Sequence, residues 1–327
     1  MGLAVQGIGV GVAELVDLAG NVTSAHTIDW PGLSAQAAFS KLAPAIVESD
    51  VRAPALAEAM FGAGRSYRLF AYVTIGTGIS YCLVQDGKPY AGARGNALVL
   101  TSGPLTFRCP GCGAVSQSIV EEIASGPALA AHYSQLSAVQ VTKAEAVLAA
   151  VEAGDTIAIQ TVETAAEALG SSVGFMINLL DPEAVIVGGG LGLAGGLYWD
   201  RFVASTRAHI YADATRDLPI RQASLGVDAG LIGAAATIFR RQYNALLVVA
   251  VFHFMFAWND FLGPLIYLDE ATEYPLVLGL YAFQTRFGIQ WHLLMAATLS
   301  VTFPLIVLFF VAQRYFIEGV TLSGLKG

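Results

Sequence analysis

The chain has 327 residues, of which 55% are hydrophobic and 13% charged, and its mean hydropathy is +0.60. A soluble globular chain carries about 25% charged residues, so this balance points to a membrane portion, and the length suits roughly two domains. The net charge of −8, with no basic stripe, excludes a nucleic-acid footprint.

Residues 3–24 alternate glycine with β-branched residues and reach a turn at Leu18-Ala19-Gly20-Asn21, which predicts strand, turn, strand. This apolar start has no basic flank and is interrupted by Glu14, so no secretory signal is expected. Residues 45–47 predict a short strand ending in the polar pair Ser49-Asp50, and the apolar spacing of 53–62 predicts a helix. Residues 69–75 read as a strand running into Gly76-Thr77-Gly78, and 79–84 as a strand entering the turn Gln85-Asp86-Gly87-Lys88. Helices are predicted over 118–135, 142–153 and 156–180, the last ended by Asp181-Pro182. A strand at 184–187 runs into Gly188-Gly189-Gly190, and 226–239 predicts a helix of small residues. Strands, glycine loops and helices alternate, so this block is α/β. Its three cysteines, Cys82, Cys109 and Cys112, are too few for a disulfide framework and fit a reducing compartment.

From Gln242 the pattern changes. Up to Arg241 there are 14 Lys+Arg and 20 Asp+Glu; beyond it there are 3 and 5. Residues 245–268 contain one acidic group, Asp260, and 292–311 contain no charge. Each run is long enough to cross a bilayer core of about 30 Å at about 1.5 Å per residue. A pair of buried core helices is the alternative, but the runs exceed the usual length of such helices. Arg240 and Arg241 before the first run, and Arg314 and Lys326 after the second, predict both ends on the cytoplasmic side of the inner membrane. Trp258, Tyr267, Trp291 and Tyr315 near the run ends suit a membrane interface. His253, Asn259 and Asp260 are polar groups in or near the first run; Asn259-Asp260 reads as a cap or a water-facing pair.

A strand ending in Gly-Thr-Gly brings bare backbone N–H groups close to a phosphate, because glycine lets the chain approach. Taken singly, Gly76-Thr77-Gly78 and Gly188-Gly189-Gly190 are tight turns; in this order, with a long helix before the second, they are more specific. The segments "VTIGTGIS" at 73–80, "DGKPYAGARGNA" at 86–97, "EEIASGPAL" at 121–129 and "NLLDPEAVIVGGGLG" at 178–192 resemble the ROK family of bacterial sugar kinases and sugar-responsive repressors. "GIGVGVAELVDLAGNV" at 7–22 resembles that family's G-V-P-G-x-V-D segment, and "ESDVRAPALAEAMFG" at 48–62 its N-D-x-N-A-A-A-L-A-E segment. The resemblance covers about 1–240 and implies an actin-like ATPase fold, ATP and Mg2+ as cofactors and a sugar ligand. It places the family's catalytic base on Asp50, a residue that on other grounds is a turn or cap, and nucleotide contacts on Gly76, Thr77, Gly78, Gly188, Gly189 and Gly190.

Three departures lead to the expectation that turnover is absent. The chain begins after the family's D-x-G-G-T hairpin. The family's A-G-E-I-G-H stretch, with a sugar-binding Glu and a zinc-binding His, is matched by "ALVLTSGP" at 97–104, with Val99 and Ser102 near those positions. The family's C-x-C-G-x-x-G-C zinc cluster is reduced to Cys109-Pro110-Gly111-Cys112-Gly113, with Gln117 near the third cysteine. Structural zinc takes four N or S ligands, so Cys109 and Cys112 make an incomplete metal site and zinc is not expected. The repressor branch's helix-turn-helix is not seen, which argues against DNA binding.

"AVFHFMFAWNDFLGPLIYL" at 250–268 and "LGLYAFQTRFGIQWHLLMAATLSVTFPLIVLFFVAQRYFIEGVTLSGLKG" at 278–327 resemble the C-terminal end of carbohydrate ABC-transporter permeases of the maltose-permease type. The expectation is therefore a fusion. An incomplete ROK-type α/β domain over 1–242 is followed by a two-span α-helical membrane hairpin over 243–327, joined near 241–247. The partners implied are the lipid bilayer and permease and ATPase subunits of a sugar transporter. The alternatives are a membrane-tethered, ATP-dependent hexokinase- or glucokinase-like enzyme and a subunit of a sugar ABC transporter.

Overall fold

The structure, a computed structural model, describes residues 5–30, 33–108, 110–268, 270, 273–280 and 291–323. It contains two compact units, Met1–Ile238 and Phe239–Gly327.

The first unit opens with β1 (Ile8–Val12), which pairs in parallel with β2 (Ala45–Ser49); between them lies the short helix α1 (Ala35–Phe39). The predicted turn at 18–21 is present, closed by an isolated bridge between Val16 and Val22 rather than by a second long strand. Helix α2 (Arg52–Phe61) follows β2 directly. The main sheet then begins with β3 (Leu69–Ile75), β4 (Ile79–Gln85) and the short β5 (Lys88–Pro89), all antiparallel. A separate hairpin, β6 (Leu105–Arg108) with β7 (Val115–Ser118), precedes the helices α3 (Glu121–Ala124), α4 (Gly126–Leu136), α5 (Ala144–Glu152) and α6 (Thr156–Leu180). The chain returns through β8 (Ala184–Gly188), parallel to β3, then α7 (Gly196–Ala208), α8 (Asp213–Arg216) and β9 (Ile220–Gln222), parallel to β8. The five strands lie in the order β5-β4-β3-β8-β9. A 3-10 turn at Gly226–Asp228 leads into α9 (Ala229–Trp258), within which the division between units falls.

Strand β3 explains the layering. Phe70, Ala71, Tyr72 and Val73 are all buried, a continuous apolar run of the kind that needs cover on both faces. Because side chains alternate along a strand, the run splits into two cores. Ala71, Val73 and Ile75 pack with Val185, Val187 and the inner face of α6 and α7 (Leu169, Val173, Phe202). Phe70 and Tyr72 pack with Ile186, Val84 and Ala55 of α2 on the other side. Helix α6 starts where Asp155 accepts hydrogen bonds from the N–H groups of Ile157 (2.8 Å) and Ala158 (3.1 Å). It stops at Asp181, whose φ of 45° is left-handed.

The single helix predicted over 118–135 is instead β7, α3 and α4. The break is at Ser125, which is extended and whose hydroxyl accepts from Ala128 N–H at 3.4 Å. Pro127, which has no N–H to give, opens the new helix there.

The start of α9, up to Ile238, packs closely on the backbone of β1 and α2 within the first unit. A Cβ on Gly9 of β1 would land on the Ala234 carbonyl, and one on Gly233 on the Ala53 carbonyl. No flexible side chain can yield at either point, so Gly233→Ala is expected to cost about 1–3 kcal/mol of stability, read as a lowered urea midpoint.

In the second unit, α9 ends at Trp258, and α10 (Leu262–Tyr267) and α11 (Trp291–Ser323) follow. The sequence predicts one uninterrupted span over 245–268; the structure breaks it at residues 259–261. Asn259 ends α9 by donating from both its backbone N–H (3.2 Å) and its side-chain amide (2.8 Å) to the Met255 carbonyl. Trp258 donates from its indole N–H to the Val301 carbonyl of α11 at 3.2 Å, and its ring stacks on Phe254. The second predicted span, 292–311, lies within the longer α11. Among the described residues, no helix is long and apolar enough to cross a membrane. Within the two predicted spans, the side chains of 245–250, 252, 293 and 311 fall outside those described. On α11, Met295, Leu299, Phe303 and Phe310 are exposed, following the helical repeat along one face.

Candidate active site

Asp50 lies immediately after β2, and its N–H donates to the Val12 carbonyl at the end of β1, at 2.9 Å. Its side chain reaches solvent but sits among enough protein atoms to lose much of its hydration. That loss is the main reason its pKa is pushed up to about 6; its own backbone N–H works against the shift, and the negative charges of Glu14 and Glu121 add to it. Three carboxylates from three separate segments therefore act on one another here.

Glu14, in the loop after β1, is 6% exposed. Desolvation acts to raise its pKa. Hydrogen bonds from the Ser24 hydroxyl and the backbone N–H groups of Ile28, Thr27 and His26 outweigh that and hold it at about 2. Glu121, at the start of α3, accepts from Ile79 N–H at 2.7 Å, which ties it to the first residue after the Gly76-Thr77-Gly78 turn. Sequence reasoning missed Glu121 as a site residue. It lies within the quoted segment 121–129, but nothing local places its carboxylate near Asp50.

The two glycine loops meet. The parallel register sets Thr74 opposite Gly188, so both loops leave the same end of neighbouring strands. Gly189 has a φ of 82°, and its Cβ would fall on the Ile75 carbonyl; that carbonyl accepts from Leu191 N–H (3.0 Å) and Gly192 N–H (3.1 Å). Gly76 N–H donates to the Gly78 carbonyl (3.0 Å), and the Gly76 carbonyl accepts from Gly126 N–H at the head of α4 (2.8 Å). In front of the loops there is room: a Cβ on Gly190 would meet nothing within 4 Å, and one on Gly76 only the Gly190 nitrogen at 3.9 Å. Thr77 is exposed between them. Bare backbone bordering open space fits a nucleotide's phosphates.

Arg52, at the first turn of α2, is nearly buried. It pairs with Glu48 (2.5 Å) and donates to the carbonyls of Gly95 (2.5 Å) and Val16 (2.7 Å). It thereby ties the loop at 92–97 and the hairpin after β1 to the start of α2, two residues beyond Asp50. Gly95 has a φ of 83° and packs against the Val16 carbonyl where no side chain would fit. At the other end of α2, the buried Glu58 accepts from Ala63 N–H (2.7 Å), Leu225 N–H (2.8 Å) and the Ser224 hydroxyl (3.2 Å).

The loop at 97–102 turns through a left-handed residue that is not glycine. Leu98 has a φ of 63°, a left-handed conformation that costs a non-glycine residue about 1–2 kcal/mol. Thr101 holds the loop by donating its hydroxyl to the Ile79 carbonyl at 3.1 Å. Val99 and Ser102 are both exposed and offer no carboxylate or imidazole. Cys109 lies outside the described residues, and Cys112 is exposed between β6 and β7. Among the described residues, no group of three or more His, Cys, Asp or Glu side chains is arranged to hold a metal ion.

Comparison with known proteins agrees with this architecture. The chain is similar to the glucokinase of Streptomyces coelicolor, with 30% identity over 257 residues covering 72% of this chain and 80% of the relative. It is also similar to the crystal structure of a ROK family glucokinase from Streptomyces griseus in complex with glucose and AMPPNP. The identity there is 29% and the TM-score 0.62, covering 71% of this chain and 80% of the other. A separate, partial similarity is to the arabinooligosaccharides transport system permease protein AraQ of Halalkalibacterium halodurans, with 31% identity over 119 residues covering 33% of this chain and 43% of the relative. Residues 2–241 match the ROK family profile, and with the actin-like fold and the paired glycine loops in place, the chain belongs to the ROK family.

Proposed function

We propose that the first unit transfers the γ-phosphoryl group of ATP to a hydroxyl of a hexose, with Asp50 as the general base. The observation that carries this reading is the Asp50 carboxyl, raised to a pKa of about 6 at the end of β2. A base of that pKa is mostly ionised at neutral pH and still holds a proton well enough to take one from an attacking hydroxyl. ATP with Mg2+ supplies the phosphoryl group. The backbone of Gly76–Gly78 and Gly188–Gly190 borders the space its phosphates would fill, and Glu121 stands beside Ile79 where it can accept from a sugar hydroxyl. The neutral side chains at Val99 and Ser102 argue for weak sugar affinity rather than for a different chemistry. The test is an ADP-release assay on the full-length chain with glucose, mannose, galactose and their N-acetylamino forms. Sugar-dependent ADP release that requires Asp50 supports the reading; no release with any of them, at a protein concentration that binds AMPPNP, refutes it.

A second reading concerns the other unit and rests on the exposed apolar row Met295, Leu299, Phe303 and Phe310 of α11 together with the partial likeness to a sugar-transport permease. We propose that this unit attaches the chain to a lipid bilayer, leaving the kinase-like unit on the cytoplasmic side. Large apolar side chains in a row gain roughly 25 cal/mol per Å2 when lipid removes them from water. After expression and cell breakage, the intact polypeptide should stay with the membrane pellet through carbonate washing and leave it only in detergent. Recovery in the carbonate supernatant would retire the attachment.

A further inference from the structure

The segment 24–28 has no regular secondary structure, yet it is held by a single side chain. Glu14 accepts from the Ser24 hydroxyl and from the N–H groups of His26 (3.0 Å), Thr27 and Ile28 (2.7 Å), with two donors on each carboxylate oxygen. Ser24 in turn accepts from Leu15 N–H at 2.8 Å, so the segment is fastened to both sides of the loop after β1. That loop begins at Val12, whose carbonyl receives the Asp50 N–H. The carboxylate that anchors the segment also acts on the proposed base through its charge. The family segment G-V-P-G-x-V-D falls on residues 11–17, so Glu14 stands where that pattern has a glycine, which could make none of these bonds.

A trans peptide points its N–H and C=O in opposite directions. With the N–H groups of 26, 27 and 28 turned onto Glu14, the carbonyls of Ala25, His26 and Thr27 point away from it. The segment therefore offers a row of acceptors, which suits the hydroxyl donors of a sugar. Arg52 is fully engaged with Glu48, Gly95 and Val16 and does not compete for Glu14.

We infer that Glu14 is a positioning residue that shapes segment 24–28 into one wall of the hexose site, supplying sugar contacts that the 97–102 loop lacks. The inference rests on the sugar-kinase reading above. The full-length chain is tested with Glu14→Gln, whose amide can accept at one atom only and turns N–H donors toward the backbone N–H groups. Three quantities are read: hydrogen exchange of the amides at 26–28, hexose affinity by calorimetry with the six sugars named above, and AMPPNP affinity. The expected result is at least tenfold faster exchange, at least tenfold weaker hexose binding and AMPPNP affinity unchanged within twofold. Faster exchange with unchanged hexose affinity would make Glu14 a purely structural clamp and overturn the inference. Equal weakening of hexose and AMPPNP binding would overturn it as well, since that is the mark of general unfolding. A wild-type chain that binds AMPPNP and none of the sugars would overturn the sugar-kinase reading and this inference together; wild-type binding with no loss in the variant overturns this inference alone.

Discussion

Asp50→Asn is expected to lower sugar-dependent phosphoryl transfer by about 10³-fold while leaving AMPPNP binding intact. An amide keeps the shape of the side chain and cannot take a proton, so only the general-base contribution, of the order of 10²–10⁴, is removed. The wild-type pH profile should carry the signature of the same group: kcat/KM rises with pH on an acid limb with an apparent pKa near 6 and levels off above it. Stability should move the other way. The folded pKa lies above the ordinary carboxylate value, so ionising Asp50 destabilises the native state, and that penalty grows as pH rises from about 4 to about 6. Asparagine carries no such penalty. The Tm of Asp50→Asn should therefore match wild type near pH 4 and exceed it above pH 6. A variant that loses activity and stability together at pH 7.5 would mean that Asp50 is a structural cap, not a base.

Arg52→Ala is expected to produce the largest loss of stability from a single side chain near the site, about 3 kcal/mol. Its guanidinium is nearly buried and serves three acceptors at once: Glu48, Gly95 and Val16. Truncation leaves two inward-facing carbonyls without a donor and one carboxylate without its partner. Each lost hydrogen bond to a charged group counts for about 1.5–3 kcal/mol, moderated because Glu48 remains partly solvated. At roughly 2–4 °C per kcal/mol in a unit of this size, the melting temperature should fall by about 6–12 °C. Arg52→Lys should recover less than half of the loss, because an ammonium cannot reproduce the planar fork that spans the three acceptors. Circular dichroism melts of the three proteins check this, and a shift under 3 °C for the alanine variant would show that the loop at 92–97 and the hairpin hold without the clamp. The family segment N-D-x-N places an amide at this position, so the charged fork belongs to this chain's own arrangement.

Much of the first unit was legible in the sequence because its signals are local. The apolar run at 69–75, the glycines at the ends of β3 and β8, the aspartate closing β2 and the cap at Asp181-Pro182 each depend on residues within one or two turns of themselves. Patterning of that kind is set by side-chain period and backbone sterics, and it survives translation into structure almost unchanged. The break at Ser125, which the predicted helix over 118–135 runs through, and the helix end at Asn259, which the sequence offers as a cap inside the predicted span, are also local in origin. Each turns on a single side chain capping a helix end inside a run whose apolar spacing is otherwise continuous.

What the sequence determined by itself was the α/β alternation, the glycine loops, the aspartate that ends β2, which only the ROK resemblance makes a candidate base, and the change of character at Gln242. Only the tertiary structure decided that the two glycine loops adjoin, that Glu14 and Glu121 act on Asp50, and that Arg52 reaches carbonyls 36 and 43 residues away in the chain. The reason is physical. A carboxylate's partners are chosen by how strands cross and which register they adopt, and those choices are settled by burying the whole of β3 and β8 between two cores, not by any residue near the carboxylate itself.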